Sequence, residues 1–245
     1  MRLDIYLAES ALVDSRTDAK NFILSGAVSV DGRVVKKPAA EVTGNEDISV
    51  DKSGKKYVSR GGLKLEAALD AFSVDPTGVT AIDVGASSGG FTDCLLKRGA
   101  SRVIAVDSGS GQLVDSIRKD TRVHVYENFN ARYMSASDFD YTPDFAVMDV
   151  SFISAKLIFP AVSSVLKQDG RFICLIKPQF EVGRSGLNKK GIVKSESLRK
   201  RAVDDVVESA SLCCFELLGL IESPIVGGDG NIEYLAYFKK TNQNG

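Results

Sequence analysis

From Val79 onward, apolar runs of strand length recur between amphipathic, helix-like segments. The runs "VTAIDVGA", "RVIAVDS", "RVHVYEN", "DFAVMDV" and "RFICLIK" alternate with segments such as "GFTDCLLKRG" and "SAKLIFPAVSSVLK", and "SESLRKRAVDDVVESASLCC" follows them. A chain that alternates in this way buries both kinds of element as a parallel, doubly wound sheet flanked by helices. The carboxyl ends of such strands gather at one edge, where open α/β sheets bind their ligands. The stretch "ELLGLIESPIVGGDGNIEYLAYFKK" reads as two strands around a Gly-rich turn, an antiparallel end to that sheet.

The first quarter of the chain has a different pattern. Leu3, Tyr6 and Leu7 recur at helical spacing, and Ser15 is placed to cap a second helix that carries Ala19, Phe22 and Ile23 and stops at Gly26. In "AVSVDGRVV" alternating valines flank Asp31-Gly32, which suits a two-residue hairpin turn, and "DISVD" supplies another short strand. This pattern, with Ser15-Arg16, Gly26, Val30-Asp31-Gly32 and Lys37-Pro38, resembles the small RNA-binding domain of ribosomal protein S four. The resemblance implies RNA contacts through Arg16, Lys20, Lys36 and Lys37. Residues 1–60 hold ten basic and nine acidic side chains, so any phosphate affinity must come from arrangement.

Composition narrows the remaining classes. The formal net charge is −1 and the pI about 6.0, so a nucleic-acid partner needs local patches. Residues 184–201 form one, with seven basic side chains, Lys189 and Lys190 among them, against Glu196 alone. Such runs usually mark a solvated face. No window approaches 18 apolar residues and the N-terminus lacks an apolar leader, so the expected protein is soluble and cytoplasmic. Cys94, Cys174, Cys213 and Cys214 show no C-x-x-C spacing and His124 is the single histidine, which argues against disulfides and zinc; no metal is expected.

At the edge of the sheet, "DVGASSGG" links the first strand to a helix, and Gly85, Gly89 and Gly90 let backbone approach a ligand. A dinucleotide fingerprint would need glycine where Ser87 stands. Asp83 before the loop and Asp107 closing the second strand resemble the first two motifs of Rossmann-like methyltransferases. That likeness implies S-adenosylmethionine bound around Asp83, Gly85, Ser87, Gly89, Gly90 and Phe91, with Asp107 on the ribose and Asn128 at the adenine. Asn128 is equally consistent with a plain turn.

Four charged residues converge on the same edge. Asp149 and Lys177 follow strongly apolar strands, Glu233 opens the last strand, and Lys64 stands in the first turn of a helix whose stripe is Leu65, Ala68, Leu69 and Phe72. That stripe predicts Lys64 at the rim of the sheet, with Arg60-Gly61-Gly62 as an open, donor-bearing approach to it. Each residue has a plain alternative: a helix cap for Asp149, solvated lysines, and an edge-strand guard for Glu233.

In chain order, Lys64, Asp149, Lys177 and Glu233 resemble the Lys-Asp-Lys-Glu tetrad of FtsJ-type ribose 2′-O-methyltransferases. With "SRGGLKL", "DVGASSGGFTDCLL", "MDVSFIS", "IKPQFEVG" and "GNIEYL", the likeness extends over nearly the whole chain to the TlyA family, which is often labelled haemolysin. It implies a small α+β RNA-binding domain at 1–58 and, at 59–245, a Rossmann-like doubly wound α/β methyltransferase domain with an antiparallel last strand. It implies S-adenosylmethionine-dependent 2′-O-methylation of ribosomal RNA or ribosomal subunits, with a cytidine of large-subunit RNA as the target because Arg2-Leu3-Asp4 follows the first methionine directly, as in the family's short form. Lys177 would activate the hydroxyl, with Lys64 nearby lowering its proton affinity and Asp149 and Glu233 orienting the amines. Arg60, Lys189 and Lys190 would join the RNA contacts. Three other readings compete: an RNA-binding assembly protein without catalysis, a lytic protein as the label suggests, and a nicotinamide oxidoreductase.

Overall fold

The structure, a computed structural model, describes residues 1–13, 15–51, 56–227 and 230–242. It divides into two compact units, Met1–Lys56 and Tyr57–Gly245.

In the first unit, α1 (Leu3–Glu9) and α2 (Arg16–Ser25) precede β1 (Val28–Val30), β2 (Arg33–Val34) and β3 (Ile48–Val50), with sheet order β2-β1-β3. Local chemistry sets each boundary. Ser15 Oγ accepts from the Asp18 N–H at 3.1 Å, capping α2, and Gly26 ends it at φ +82°. Asp31 and Gly32 both take positive φ, +50° and +74°, as a two-residue hairpin turn twisted to match its strands requires. Leu3, Leu7, Ala19, Ile23 and Val28 are fully buried between helices and sheet. Asp4 is buried with them and is held by Arg2 and Arg16; the hydrogen bond from Arg2 is the main cause of its low pKa, about 2.

The second unit opens with α3 (Arg60–Ala71), then alternates β4 (Thr80–Val84), α4 (Gly90–Lys97), β5 (Arg102–Val106), α5 (Asp115–Arg118), β6 (Val123–Tyr126), β7 (Phe145–Met148), α6 (Phe159–Val165), β8 (Arg171–Ile176) and α7 (Glu196–Leu212). The chain closes with β9 (Phe215–Glu222) and β10 (Tyr234–Lys240). Sheet order is β6-β5-β4-β7-β8-β10-β9, parallel from β6 to β8, with β10 antiparallel to both its neighbours. Alternate strand residues feed two cores. One packs Ile82, Ile104, Phe172 and Phe238 with Phe159 of α6 and Val206 of α7; the other packs Ala81, Val103 and Leu235 with Leu65 of α3 and Leu95 of α4. This is the three-layer doubly wound α/β architecture that the alternation dictated.

Two details depart from the sequence reading. The segment 154–167 is not one helix: a 3₁₀ turn (Ala155–Leu157) gives way to α6, with Pro160 in its first turn, where proline's missing N–H costs nothing. The last strand in sequence does not form the sheet edge. β10 lies between β8 and β9, so an edge-guarding role for Glu233 is ruled out. Among the described residues no helix is long and apolar enough to cross a membrane.

Candidate active site

A cleft of about 340 Å³ opens at the carboxyl ends of β4, β5 and β7, within the size range of small-molecule sites. Its floor is the loop after β4. Gly85 (φ +87°) is forced by contact as well as by torsion, because a Cβ there would stand 2.6 Å from the Asp149 carbonyl oxygen. Asp107 ties the floor together: its Oδ2 accepts from the Ser87 N–H and its Oδ1 from the Gly109 N–H, each at 2.7 Å. A carboxylate has about four acceptor sites, so two remain for ribose hydroxyls. Gln112 and Asn130 add polar groups, while Phe129, Val150, Ile153 and Ile158 supply apolar wall suited to a base. A glycine-cradled floor, an acceptor with spare capacity and an apolar slot together fit the adenosyl part of S-adenosylmethionine.

The other expected loop residues lie deeper or to the side. Asp83 is fully buried below the cleft, where its Oδ2 accepts from Thr92 Oγ at 2.6 Å and its Oδ1 has no hydrogen-bond partner among the described residues. Burial, aided by the nearby Asp149 and Asp107 charges, pushes its pKa up to about 7. Gly89 (φ +94°) caps the amino end of α4, and Gly90 lets α3 approach, since a Cβ on it would meet Ser59 Oγ at 2.1 Å. Phe91 is buried in the core on the α4 side of the sheet. Asn128 takes φ +53° and donates its N–H to the Gly109 carbonyl; the cleft lining runs through Phe129 and Asn130 instead.

The four charged residues form two ion pairs. Lys177 Nζ meets Asp149 Oδ1 at 2.5 Å and Ser151 Oγ at 2.7 Å, beside the cleft. Lys64 Nζ meets Glu233 Oε2 at 2.5 Å, and both are buried, at 8% and 2% exposure. Lys64 is therefore not a solvent-facing lysine, and each lysine has its own carboxylate, which offsets the repulsion expected between the two amines. The antiparallel pairing Tyr234↔Ile176, continued by one residue, sets Glu233 opposite Lys177, so both pairs occupy one edge. Arg60-Gly61-Gly62 also proves different from the expected open approach. It is the first turn of α3, and a Cβ on Gly62 would lie 2.4 Å from the Tyr57 side chain, so Gly62 serves close packing.

Three nearby groups carry no sequence signal that would have singled them out. Ser151 holds Lys177. Phe152, 92% exposed, stands over the cleft mouth at φ +63°, a strained conformation for a bulky side chain, 5.2 Å from the Phe180 ring. Glu181 staples the two segments, accepting from Ser154 Oγ and the Ala155 N–H.

Of the basic residues, Lys20, Lys36 and Lys37 are exposed on the first unit, and Lys36 lies across the end of α2 at Gly26. Arg16 is also exposed but is tied to Asp4 at 3.1 Å. Arg60 is half-buried. Lys189 and Lys190 are exposed on a turn built by Asn188, whose Oδ1 accepts from the Lys190 and Ile192 N–H groups. Buried Asn231 anchors the turn through Val193 and Gly191.

Residues 57–240 match the FtsJ-like methyltransferase family, and residues 1–48 match the S4 domain. The chain is 41% identical to Hemolysin A of Brachyspira hyodysenteriae over 97% of its length and 99% of that protein. It is 39% identical to the Mycobacterium tuberculosis protein named 16S/23S rRNA (cytidine-2′-O)-methyltransferase TlyA, covering 97% of this chain and 89% of that one. A solved Streptococcus thermophilus structure superposes with TM-score 0.81 at 41% identity, over 99% of this chain and 89% of the other.

Proposed function

Because this chain belongs to the FtsJ-like methyltransferase family, with an S4 domain ahead of its catalytic unit, we propose that it methylates a ribose 2′-hydroxyl of a cytidine in large-subunit ribosomal RNA. S-adenosylmethionine supplies the electrophilic methyl group. The observation that carries the reading is Lys177 Nζ, held by Asp149 and Ser151 beside the Asp107 cleft. One N–H is engaged by Ser151 Oγ and the Asp149 carboxylate lies in ionic contact, so the lone pair of the neutral amine is what serves the hydroxyl. With the donor bound, Lys177 as the neutral amine would take the hydroxyl proton as the oxygen bonds to the methyl carbon and the sulfur leaves as the neutral thioether, and Asp149 would stabilise the resulting ammonium. Lys64 and Glu233 keep that edge electrostatically balanced. Asp107 and the loop at Gly85 and Ser87 hold the donor in line, which supplies much of the acceleration.

Phe152 offers a stacking surface for the target base at the cleft mouth, worth about 1–3 kcal/mol for a base lifted out of its helix. Arg16, Lys20, Lys36 and Lys37 on the S4 domain, with Arg60, Lys189 and Lys190, serve the RNA backbone. RNA is the substrate such chemistry needs, since the 2′-hydroxyl is what it has and DNA lacks. The 23S RNA is one of the two substrates that the M. tuberculosis relative is named for, and the large-subunit target is the one we propose.

Transfer of labelled methyl to purified large and small subunits, followed by mapping of ribose methylation, tests the assignment; label confined to the small subunit would refute the large-subunit choice. Lys177→Arg tests the mechanism. Guanidinium keeps charge and reach but stays protonated, so the variant is expected to bind the cofactor and lose about 10²–10⁴-fold in transfer. Near wild-type turnover would reduce Lys177 to a source of positive charge.

A further inference from the structure

We propose that Gln179 is a positioning residue of this site, holding the buried Glu233 carboxylate in place and tying it to the turn that carries Lys177; this rests on the methyl-transfer reading above. Glu233 is 2% exposed, and among the described residues its oxygens meet Lys64 Nζ on Oε2 at 2.5 Å and Gln179 Nε2 on Oε1 at 3.1 Å. Gly227 closes a third side, because a Cβ there would lie 2.4 Å from Oε1. An ionised carboxylate only accepts, so Gln179 must turn its N–H group toward Glu233, and its amide orientation is set by chemistry. The consequence is visible at the other end of the amide. Gln179 Oε1 is buried without a hydrogen-bond partner among the described residues.

A buried, unpaired acceptor is costly, and folds rarely keep one without a reason. Here the reason is position. Gln179 sits in the single turn Pro178–Phe180, for which Lys177 is the N-cap residue, so its side chain joins the Lys177 segment to the Lys64–Glu233 pair. Without that bond Glu233 Oε1 loses its hydrogen bond from the Lys177 turn, and the side-chain link between that turn and the Lys64–Glu233 pair is gone, although the strand pairing of Ile176 with Tyr234 remains.

The test is methyl transfer to ribosomal subunits by the wild-type chain, Gln179→Ala, Glu233→Gln and the double variant. Cofactor affinity is measured by calorimetry and folding by circular dichroism. Gln179→Ala is expected to lower kcat about tenfold or more while KM for the subunit and cofactor affinity stay within about twofold. If Gln179 acts through Glu233, the double variant falls no further than Glu233→Gln alone. Losses that multiply, or an unchanged kcat in folded Gln179→Ala, overturn the proposal.

Should the alanine variant misfold, Gln179→Glu gives a second route. Two carboxylates at this spacing, with Lys64 as the facing cation, must share a proton. Its kcat relative to wild type should therefore be highest toward acid pH and fall as pH rises, and a ratio that stays constant with pH overturns the role. A wild-type chain that transfers no methyl group at all refutes the methyl-transfer reading itself, a result distinct from active variants that match an active wild type.

Discussion

Asp83 makes the catalytic unit's stability depend on pH in a direction opposite to that of most carboxylates. It is fully buried, one oxygen bonded to Thr92 and the other without a hydrogen-bond partner among the described residues, and burial pushes its pKa from the ordinary 3.8 to about 7. Below about 3.8 folded and unfolded chains both carry the proton, and the contribution to stability is complete. Between there and about 7 the unfolded chain ionises while the fold retains the proton, so stability falls as pH rises, and above about 7 the loss is complete. At 1.36 kcal/mol per tenfold step the separation amounts to about 4 kcal/mol. Asp83→Asn removes this dependence but leaves a buried amide N–H₂ without assured acceptors, a cost of about 1–3 kcal/mol at every pH. The two stability curves should therefore cross: wild type more stable near pH 4 and below, and the asparagine variant more stable at pH 8 by about 1–3 kcal/mol. For a unit of this size that is about 2–4 °C in Tm per kcal/mol. Calorimetric unfolding of both chains across this range measures it, and parallel curves would show that Asp83 is ionised in the fold throughout.

Other expectations follow from the same geometry. Lys64→Met leaves Glu233 buried without its cation and should cost about 3–5 kcal/mol of stability, whereas Lys177→Ala, whose partner Asp149 reaches solvent, should unfold near the wild-type temperature; equal Tm values for the two would contradict this. Asp107→Ala removes both the ribose acceptor and the anchor of the Ser87 and Gly109 N–H groups, so calorimetry should show cofactor binding weakened by about 1.5–3 kcal/mol, tenfold or more. Unchanged affinity would take Asp107 out of the site. Replacing Lys189 and Lys190 together by alanine should flatten the slope of log RNA affinity against log salt by up to about two units, and an unaltered slope would mean that neither touches phosphate.

Much of the fold was legible because its signals are local. Ser15, Gly26 and the Asp31-Gly32 turn each act within a few residues, and the alternation of apolar runs with amphipathic segments admits few layouts. Asp107 closing β5 could likewise be placed at the sheet edge from sequence, because parallel strands end together. What tertiary structure decided was partnership and depth. Lys64 and Glu233 are 169 residues apart, and nothing in their local sequence says that they meet or that both are buried. That outcome depends on β10 inserting between β8 and β9, a choice of strand order that periodicity does not encode. Gly62 reads as openness in sequence and serves close packing in the fold, because a missing Cβ permits either. Phe152 and Gln179 are ordinary letters in "MDVSFIS" and "IKPQFEVG". Only the folded backbone leaves one standing in solvent over the cleft and turns the other against a buried carboxylate, since exposure and hydrogen-bond partners belong to the assembled surface and not to the chain.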